Sequence, residues 1–349
     1  MKKVIIPTGY MGSGSSAITD LISEFDGVNN SHKDFEYIFL HCPNGIFDLE
    51  DKLLIGNNSI RSDEAIHSFL NSMKDLYDKK FWWPGNYKKI IGEEFYDEVL
   101  RYVESIIDVK SKNYWYYQEK PNRMMQFKWY IKLIIEKITK NKNFVKKPLL
   151  YDEILLSYKK PEEFYYETKK FIYNVLNMID SSDDDLLLDQ LILPHNVFRL
   201  ENYFDDNVRV IIVERDPRDV FILNKYAWKN KSIDVPYSFD VKKFCKQYRN
   251  IRQLEKKKDS KNVLRIKFEN LVYNYDDTEK KICQFLGYSE KKHVRKYERF
   301  NPNISIQNTQ VFNSDKKYEK EVKYIEKELK QFLYKFPKKI VSKIENTIG

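Results

Sequence analysis

Apolar residues along this chain of 349 residues fall into two kinds of pattern. Short apolar runs, rich in Val, Ile and Leu, predict buried strands at 3–8, 186–193, 208–214 and 262–267. Apolar residues three and four positions apart predict helices between and after the strands. These helices cover 15–25, 217–229, 239–257, 275–286 and 316–334. Strands that alternate with helices indicate a three-layer α/β fold with a central parallel sheet, which binds ligands at the carboxyl ends of its strands.

The segment at about 60–180 breaks this alternation and predicts a mainly helical insertion. Helical spacing is clearest in two groups, Leu100, Val103 and Ile107, then Ile131, Ile134, Ile135 and Ile138. A prior of about 150 residues per domain suggests two domains. The motifs described below lie near both ends of the chain and must meet around one ligand. We therefore expect 1–349 to form a single domain that carries the insertion.

Aromatic residues crowd this insertion at 81–83, 114–117 and 127–130. Flat rings beside a cleft would stack on sugar faces and suit a glycan acceptor. In a chain with 26 tyrosines the same rings also fit an ordinary core, and we favour the core interpretation.

A glycine-serine loop follows the first strand. It reads Gly12-Ser13-Gly14-Ser15-Ser16. Gly9 and Gly14 have the spacing of a nucleoside-triphosphate P-loop, but Ser15 stands where such a loop has lysine. That lysine neutralises the β- and γ-phosphates. The loop therefore indicates a P-loop NTPase-like fold that binds a less charged phosphate group.

A second anion-binding motif follows the strand at 208–214. It reads Arg215-Asp216-Pro217-Arg218-Asp219. Proline is favoured in the first turn of a helix, so the motif lies where strand gives way to helix. Arginine offers a fixed fork of donors to a phosphate. The two motifs together predict a ligand that is phosphorylated at two distant points.

At these residues the sequence resembles the sulfotransferases that use 3′-phosphoadenosine 5′-phosphosulfate (PAPS). In that family a Ser-Gly-(Thr/Ser)-(Thr/Ser) loop binds the 5′-phosphosulfate, and a strand that ends in an Arg-Asp-Pro-Arg-Asp motif binds the 3′-phosphate. Residues 263–271 resemble the strand and (Tyr/Phe)-Glu-(Asp/Asn)-Leu turn of the family. Residues 305–312 resemble a loop that closes over the nucleotide in some bacterial members.

The resemblance implies a role for each matching residue. Gly12, Ser13, Gly14, Ser15 and Ser16 would bind the 5′-phosphosulfate. Arg215, and secondly Arg218, would bind the 3′-phosphate. Phe268 would pack near the adenine or belong to the core, and Gln307 and Asn308 would close over the nucleotide.

Two positions depart from the family pattern. Gly12 stands where the family has a cationic side chain, so the source of charge stabilisation at the sulfuryl group is open. Leu223 stands where a serine often follows the 3′-phosphate arginine. Lys225 is one candidate for the missing cation.

Sulfuryl transfer needs a base that activates the acceptor. Glu36 is the first candidate, because it lies shortly after the first helix, in a segment at 33–39 that predicts a strand, and relatives place a catalytic glutamate there. Asp189 interrupts a predicted apolar strand, where a carboxylate is rarely buried unless it has a structural or functional role. His195 follows at the predicted strand end, near the interval at which relatives carry a catalytic histidine. Asp189 and His195 also fit roles in orienting the acceptor or capping a helix.

Charge and composition indicate which partners and which location to expect for the protein. A net charge of +9 is typical of proteins that bind nucleic acid, an acidic membrane surface or a polyanion, but we favour the generally lysine-rich composition of the chain as its explanation. We expect no nucleic-acid partner, no metal and no transmembrane segment, whereas peripheral membrane contact stays open. Three cysteines without metal spacing predict free thiols and a cytoplasmic location.

The sequence thus predicts a PAPS-dependent sulfotransferase that acts on a hydroxyl or amine, with a small-molecule, carbohydrate or glycolipid acceptor. A P-loop-type small-molecule kinase is the alternative enzyme. A degenerate nucleotide-binding or nucleic-acid-binding module is the non-enzymatic alternative, for which Gly12 and Leu223 are the warning signs.

Overall fold

The computed structural model describes residues 2–30, 35–119, 123–139, 149–228, 236–256, 260–340 and 342. The chain divides into two compact units. The first, here the sheet unit, comprises 1–41 and 176–349. The second, here the helical unit, comprises 42–175. In the described part of the chain no helix has both the length and the apolar character needed to cross a membrane.

The described strands form a parallel sheet and one separate hairpin. They are β1 (Val4–Gly9), β2 (Val28–Asn29), β3 (Val109–Ser111), β4 (Ile154–Leu156), β5 (Asp185–Leu187), β6 (Val208–Glu214) and β7 (Val263–Lys267). The sheet has the order β2-β5-β1-β6-β7, with every neighbouring pair parallel. This confirms the predicted α/β fold with a central parallel sheet.

The described α-helices alternate with these strands in the sheet unit and dominate the helical unit. They are α1 (Ser16–Ile22), α2 (Ile46–Leu54), α3 (Ser59–Asp78), α4 (Tyr87–Ile90), α5 (Phe95–Ile106), α6 (Arg123–Thr139), α7 (Pro161–Ile179), α8 (Leu200–Tyr203), α9 (Pro217–Ile222), α10 (Val241–Leu254), α11 (Phe268–Tyr273), α12 (Tyr275–Leu286), α13 (Pro302–Ser305) and α14 (Glu319–Glu328).

The strand register places the ends of β1, β6 and β7 side by side at one edge of the sheet. Gly9 at the end of β1 pairs with Val213 of β6, and Glu214 at the end of β6 pairs with Lys267 of β7. Every residue of β1 is buried, as expected for a central strand covered on both faces. The loops that leave these strands therefore start side by side.

Apolar residues of the sheet unit form two large clusters. The first joins β1, β6 and β7 to α1, α11 and α12, with Ile18 and Ile282 wholly buried. The second joins α9, α10 and α14 around Phe221 and Phe244. Helices therefore cover the sheet through apolar stripes of the kind that the sequence pattern predicts.

Several predicted elements differ from the structure in extent. The strand predicted at 186–193 ends at Leu187, because the chain turns at Asp189 and Gln190. The helix predicted at 217–229 ends at Ile222 and continues as a wider π-helical turn, Leu223–Trp228. Described residues of the strand predicted at 33–39 are not in a strand, since 35–38 are irregular. The remaining residues of that prediction, 33 and 34, lie outside the described ranges.

The helical unit contains α2 to α6, most of α7, and the antiparallel hairpin of β3 and β4. Its core is apolar, with Phe69, Phe95 and Phe164 wholly buried. The helical character predicted for 60–180 agrees with these bounds. The organisation as a single domain with an insertion stays a prediction.

The interpretation of the insertion's aromatic residues as ordinary core is wrong for much of the set. Phe81 and Trp83 are 104% and 68% exposed. Tyr114, Tyr116, Phe127 and Tyr130 are also exposed. The apolar spacing of Ile131, Ile134, Ile135 and Ile138 does form a helix, but these side chains face outward. Periodicity alone does not say which stripe of a helix is buried.

A buried histidine in the sheet unit bridges two glutamates. Nε2 of His293 lies 2.6 Å from Glu24, and Nδ1 lies 2.5 Å from Glu279. Burial opposes the charged ring, but both carboxylates raise the pKa of His293 above its ordinary value. Burial also acts against the Glu24 carboxylate, yet His293 and the main-chain N–H groups of Phe300 and Arg299 lower its pKa.

We predict that His293→Gln destabilises the protein by about 3 kcal/mol near pH 5.5, because it leaves a buried carboxylate without its cation. The stabilisation by protonated His293 is complete below the pKa that this histidine has in the unfolded chain. It is lost as the pH rises through the raised pKa of His293 in the folded protein. The stabilisation by ionised Glu24 is present above the pKa that this carboxyl has in the unfolded chain. It is lost as the pH falls through the lowered pKa of Glu24 in the folded protein. Urea unfolding of the wild type and of His293→Gln should show that their free energies of unfolding differ less at pH 8.5 than at pH 5.5. Equal differences at both pH values would contradict this account.

Candidate active site

The glycine-serine loop leaves β1 at the centre of the sheet. Gly12 and Gly14 have φ values of 73° and 84°, in the left-handed region that favours glycine. A Cβ on Gly12 would lie 2.6 Å from the Trp228 ring, and one on Gly14 would lie 2.9 Å from Phe268. Both glycines are therefore required by conformation and by close packing. Within the loop, the N–H of Ser13 donates to the Tyr10 carbonyl at 2.8 Å.

Trp228 accounts for the departure at Gly12. This indole belongs to the π-helical turn that follows α9, and it is buried against the position where the family has a cation. Any side chain at position 12 would meet the ring. The loop therefore has no room for a cationic side chain at this point.

Arg215 connects the loop to two other predicted binding segments. It is buried, and its Nη1 donates to the Gly12 carbonyl at 3.2 Å. Nη2 donates to the carbonyl of Asn308, and the guanidinium lies 4.7 Å from the ring centre of Phe268. Nε has no hydrogen-bond partner among the described residues. Burial lowers the pKa of Arg215, in opposition to the carboxylates of Asp219, Glu269 and Asp216.

Arg218 has quite different surroundings. Its Nε and Nη2 form a bidentate pair with Asp216 at 3.0 and 2.8 Å. Nη1 donates to Glu326 at 2.8 Å, and the guanidinium lies over the Phe312 ring. These contacts use the guanidinium donors of Arg218. The geometry therefore favours a structural role for Arg218 over the phosphate contact that the resemblance implies.

Buried acidic residues hold the arginine motif in place, and sequence reasoning missed this function for them. The N–H of Asp216 donates to Glu269 at 2.7 Å, while Asp219 accepts from the N–H of Gln310. Burial and the charge of Asp216 raise the pKa of Glu269 to about 7. The hydroxyl of Tyr248 donates to the Arg215 carbonyl at 3.0 Å. The position of Arg215 is therefore determined from several sides.

Gln307 and Asn308 lie on a 3₁₀ turn, Ile306–Asn308. The carbonyl of Asn308 contacts Arg215, while Gln307 is exposed. Segments 12–16, 215, 268 and 308, which are far apart in the chain, thus meet at one place. Their roles in binding stay predictions.

Glu36 and Asp189, the first two base candidates, also come together. The N–H of Tyr37 donates to the Asp189 carbonyl at 3.3 Å. Burial, followed by the charge of Glu36, raises the pKa of Asp189 to about 7. Burial likewise raises the pKa of Glu36. Oδ1 of Asp189 is buried without a hydrogen-bond partner among the described residues. The pair forms a site that can take up a proton near neutral pH.

Gln190 ties this carboxyl pair to the phosphate loop. Its φ of 58° is unusual for a residue other than glycine. The side chain accepts from Thr8 Oγ1 and donates to Ser15 Oγ, both at 3.0 Å. His41 bonds the Gln190 carbonyl at 2.9 Å. The available sequence signal for Gln190 was a polar pair, Asp189 and Gln190, between two apolar runs.

His195 lies on the 3₁₀ turn Pro194–Arg199. Its Nε2 is 3.1 Å from the Ile251 carbonyl, and its ring packs edge-on to Tyr10 at 5.6 Å. The structure thus brings His195 next to Tyr10, at the start of the loop. These contacts favour an orienting role over that of a base.

Arg252 is a cation that sequence reasoning overlooked. Its guanidinium lies 3.2 Å from the ring centre of Tyr10, two residues before Gly12, and its Nη1 has no partner among the described residues. Tyr10 donates its hydroxyl to Glu255, which also accepts from Arg265. Lys225, the substitute suggested by the sequence, instead pairs with Glu321 at 2.5 Å. Arg252 is therefore the better candidate for the missing positive charge.

A family model described as the sulfotransferase family matches residues 101–292, more than half of the chain. The chain belongs to the sulfotransferase family. The match confirms the resemblance proposed from the motifs. It covers Asp189, His195, Arg215 and Phe268, and it leaves the glycine-serine loop outside.

Two curated relatives resemble part of this sulfotransferase. Sulfotransferase 2A1 of Homo sapiens is 32% identical over 105 residues, which are 27% of this chain and 36% of the relative. The protein of the same name from Macaca fascicularis is 30% identical over 105 residues, with the same coverage of 27% and 36%. The matched segment thus spans about a third of the relatives' length.

Two solved sulfotransferase structures align weakly with this chain. The sulfotransferase domain of the Synechococcus PCC 7002 olefin synthase aligns with a TM-score of 0.37 and 11% identity, over 97% of this chain and 98% of that one. STF9 from Mycobacterium avium aligns with a TM-score of 0.38 and 12% identity, over 98% of this chain and 78% of that one. Similarity this low supports no argument about the site.

We predict that restoring a family-like lysine in Gly12→Lys destabilises this sulfotransferase by about 1–3 kcal/mol, because the side chain would meet Trp228 at a left-handed position. Met11→Lys is the matched control, since Met11 is exposed. Urea unfolding should separate the two variants. A Gly12→Lys protein as stable as Met11→Lys would show that the loop has room after all.

Proposed function

We propose that this sulfotransferase transfers a sulfuryl group from PAPS to a hydroxyl or amine of an acceptor. The environment of Arg215 carries the proposal. A buried charge is normally paired with an opposite charge. Arg215 instead donates to two main-chain carbonyls, whereas neighbouring Arg218 has its carboxylate partners. A phosphate of the ligand is the counter-ion that fits this arginine.

The described residues fit the two ends of the donor. Gly12, Gly14, Ser15 and Ser16 would offer N–H and hydroxyl groups to the 5′-phosphosulfate, while the N–H of Ser13 is bonded to the Tyr10 carbonyl and its Oγ is buried without a partner among the described residues. Arg215 would take the 3′-phosphate. Phe268 lies between Gly14 and Arg215, so it would space the two anion sites. Gln307 and Asn308 would border the nucleotide.

PAPS supplies the electrophilic sulfuryl group and a bis-phosphate leaving group. The protein's part is to hold the donor, remove a proton from the acceptor and stabilise the negative charge that develops. We assign the proton to the Glu36 and Asp189 pair, with Asp189 Oδ1 as the receiving atom. Gln190 would orient Ser15, and Arg252 would contribute positive potential near Tyr10.

The acceptor is proposed to be a carbohydrate or a glycolipid. The exposed rings of Tyr114 and Tyr116 support this class, because flat aromatic faces with a polar edge suit sugar rings. A small-molecule kinase has less support, since Ser15 stands directly after Gly14, where a P-loop has its lysine.

Titration calorimetry with adenosine 3′,5′-bisphosphate should show that Arg215→Gln weakens binding about 10–100-fold, because charge-assisted hydrogen bonds to a phosphate are lost. Arg249→Gln is the matched control, since Arg249 pairs with Glu328 in the same unit. Arg218→Gln should mainly lower the melting temperature by breaking a buried pair. Unchanged affinity in Arg215→Gln, or no binding by the intact protein, would refute the assignment.

The pH dependence of kcat/KM tests the carboxyl pair, using the best acceptor from a panel of sugars and glycolipids. The rate should rise with pH through an apparent pKa near 7, because the base must be deprotonated. In Glu36→Gln the rising limb of this pH profile should move to lower pH, because removing the like charge beside Asp189 lowers the pKa of Asp189.

Asp189→Asn should lower kcat/KM about 10²–10⁴-fold. Asp184→Asn, an exposed acid in the same segment, is the control and should leave the rate unchanged. The assignment fails if Asp189→Asn keeps full activity or if Glu36→Gln moves the limb to higher pH.

A further inference from the structure

Helix α6 of the helical unit exposes an unusually large apolar surface. None of its described residues is fully buried. Seven large apolar or aromatic side chains are exposed, Met124, Phe127, Tyr130, Ile131, Ile134, Ile135 and Ile138. Phe127 is 65% exposed and Ile138 is 75% exposed. Water-soluble surfaces rarely carry so many contiguous apolar side chains without a function.

These seven residues, here the α6 stripe, lie on one side of the helix. At about 100° per residue they fall within an arc of about 140°. Met125, Trp129 and Leu133 lie on the opposite side, and these three are the half-buried ones. The helix therefore packs through one narrow face and presents a second, wider apolar face to the outside.

Basic residues border the α6 stripe on both edges. Lys128 and Lys132 lie along one edge and Lys137 along the other. The acid of this helix, Glu136, is half-buried on the opposite side. Long lysine side chains can lie along an apolar surface and keep their charge at its rim. An apolar band with lysines at both edges complements a layer that is apolar inside and negatively charged at its surface.

The lysines also argue against a second copy of this chain as the occupant. Two stripes packed face to face would bring lysines of both helices to the same rims, where like charges repel. An anionic lipid surface satisfies the apolar face and the lysines together. A helix of seventeen residues is about 25 Å long, which suits lying in the interface.

A second exposed segment of the helical unit has the same chemistry. Phe81, Trp82 and Trp83 are exposed side by side, and Lys79 and Lys80 precede them. Tryptophan is enriched where the apolar interior of a bilayer meets its headgroups. Two separate places in one unit thus combine exposed rings with lysine.

We propose that the helical unit binds peripherally to an anionic lipid bilayer, with the α6 stripe inserted at the level of the headgroups. This proposal rests on the helical unit alone and holds whichever acceptor the enzyme uses.

Flotation with lipid vesicles tests the proposal on the full chain. The wild-type protein should float with vesicles of phosphatidylcholine mixed with phosphatidylglycerol, and less with phosphatidylcholine alone. Phe127→Gln/Ile134→Gln should lower the partition coefficient about tenfold or more, because two inserted apolar side chains are lost. Leu100→Gln is the matched control, an exposed leucine on α5 of the same unit, and should float like the wild type.

Lys128→Gln/Lys132→Gln should reduce the preference for anionic vesicles, and added salt should do the same. All variants should keep the wild-type circular dichroism spectrum and affinity for adenosine 3′,5′-bisphosphate. Failure of the wild type to float with either vesicle, or full flotation of the Phe127/Ile134 variant, would overturn the proposal. So would sedimentation that shows a wild-type dimer lost in that variant, because the stripe would then bind a second copy.

Discussion

The buried guanidinium of Arg215 is the feature on which the rest of this site depends. It joins the loop at Gly12 to the turn at Asn308 and lies against Phe268. Its described hydrogen bonds go to main-chain carbonyls, and the carboxylates of Asp219, Glu269 and Asp216 attract it without accepting one of these bonds, which is poor compensation for burying a positive charge. The protein thus holds a buried cation beside the glycine-serine loop, and in the described contacts no carboxylate accepts a hydrogen bond from it. Such an arrangement costs stability in the absence of ligand and favours an anion that fits it.

The surrounding structure keeps that cation in place. Parallel register sets the end of β6 beside the end of β1, so Arg215 and the loop begin as neighbours. Asp216 then binds Arg218 and Glu269, which fixes the first turn of α9. Arg218 forms direct ion pairs with Asp216 and Glu326, whereas the described hydrogen bonds of Arg215 go to main-chain carbonyls. This difference between two arginines of one motif is the basis for proposing a structural role for Arg218 and a phosphate contact for Arg215.

Much of this arrangement could be predicted from the sequence, because local patterns determine it. Buried apolar runs indicated the parallel strands, and the motifs at 12–16 and 215–219 indicated two segments that the structure brings together through Arg215 and Gly12. Other features depend on long-range packing. Trp228 fills the space at Gly12, and Arg252 reaches Tyr10 from α10, through contacts that no local spacing encodes. The exposed side of α6 has the same apolar period as a buried stripe, so the pattern alone suggested a core.

A crystal structure with adenosine 3′,5′-bisphosphate is the most direct test of the central claim. The account predicts one phosphate against the loop of Ser13 to Ser16 and the other against Arg215, with the arginine fork turned from its carbonyl partners towards the ligand. A nucleotide bound elsewhere, or an Arg215 that keeps both carbonyl contacts and touches no phosphate, would contradict it.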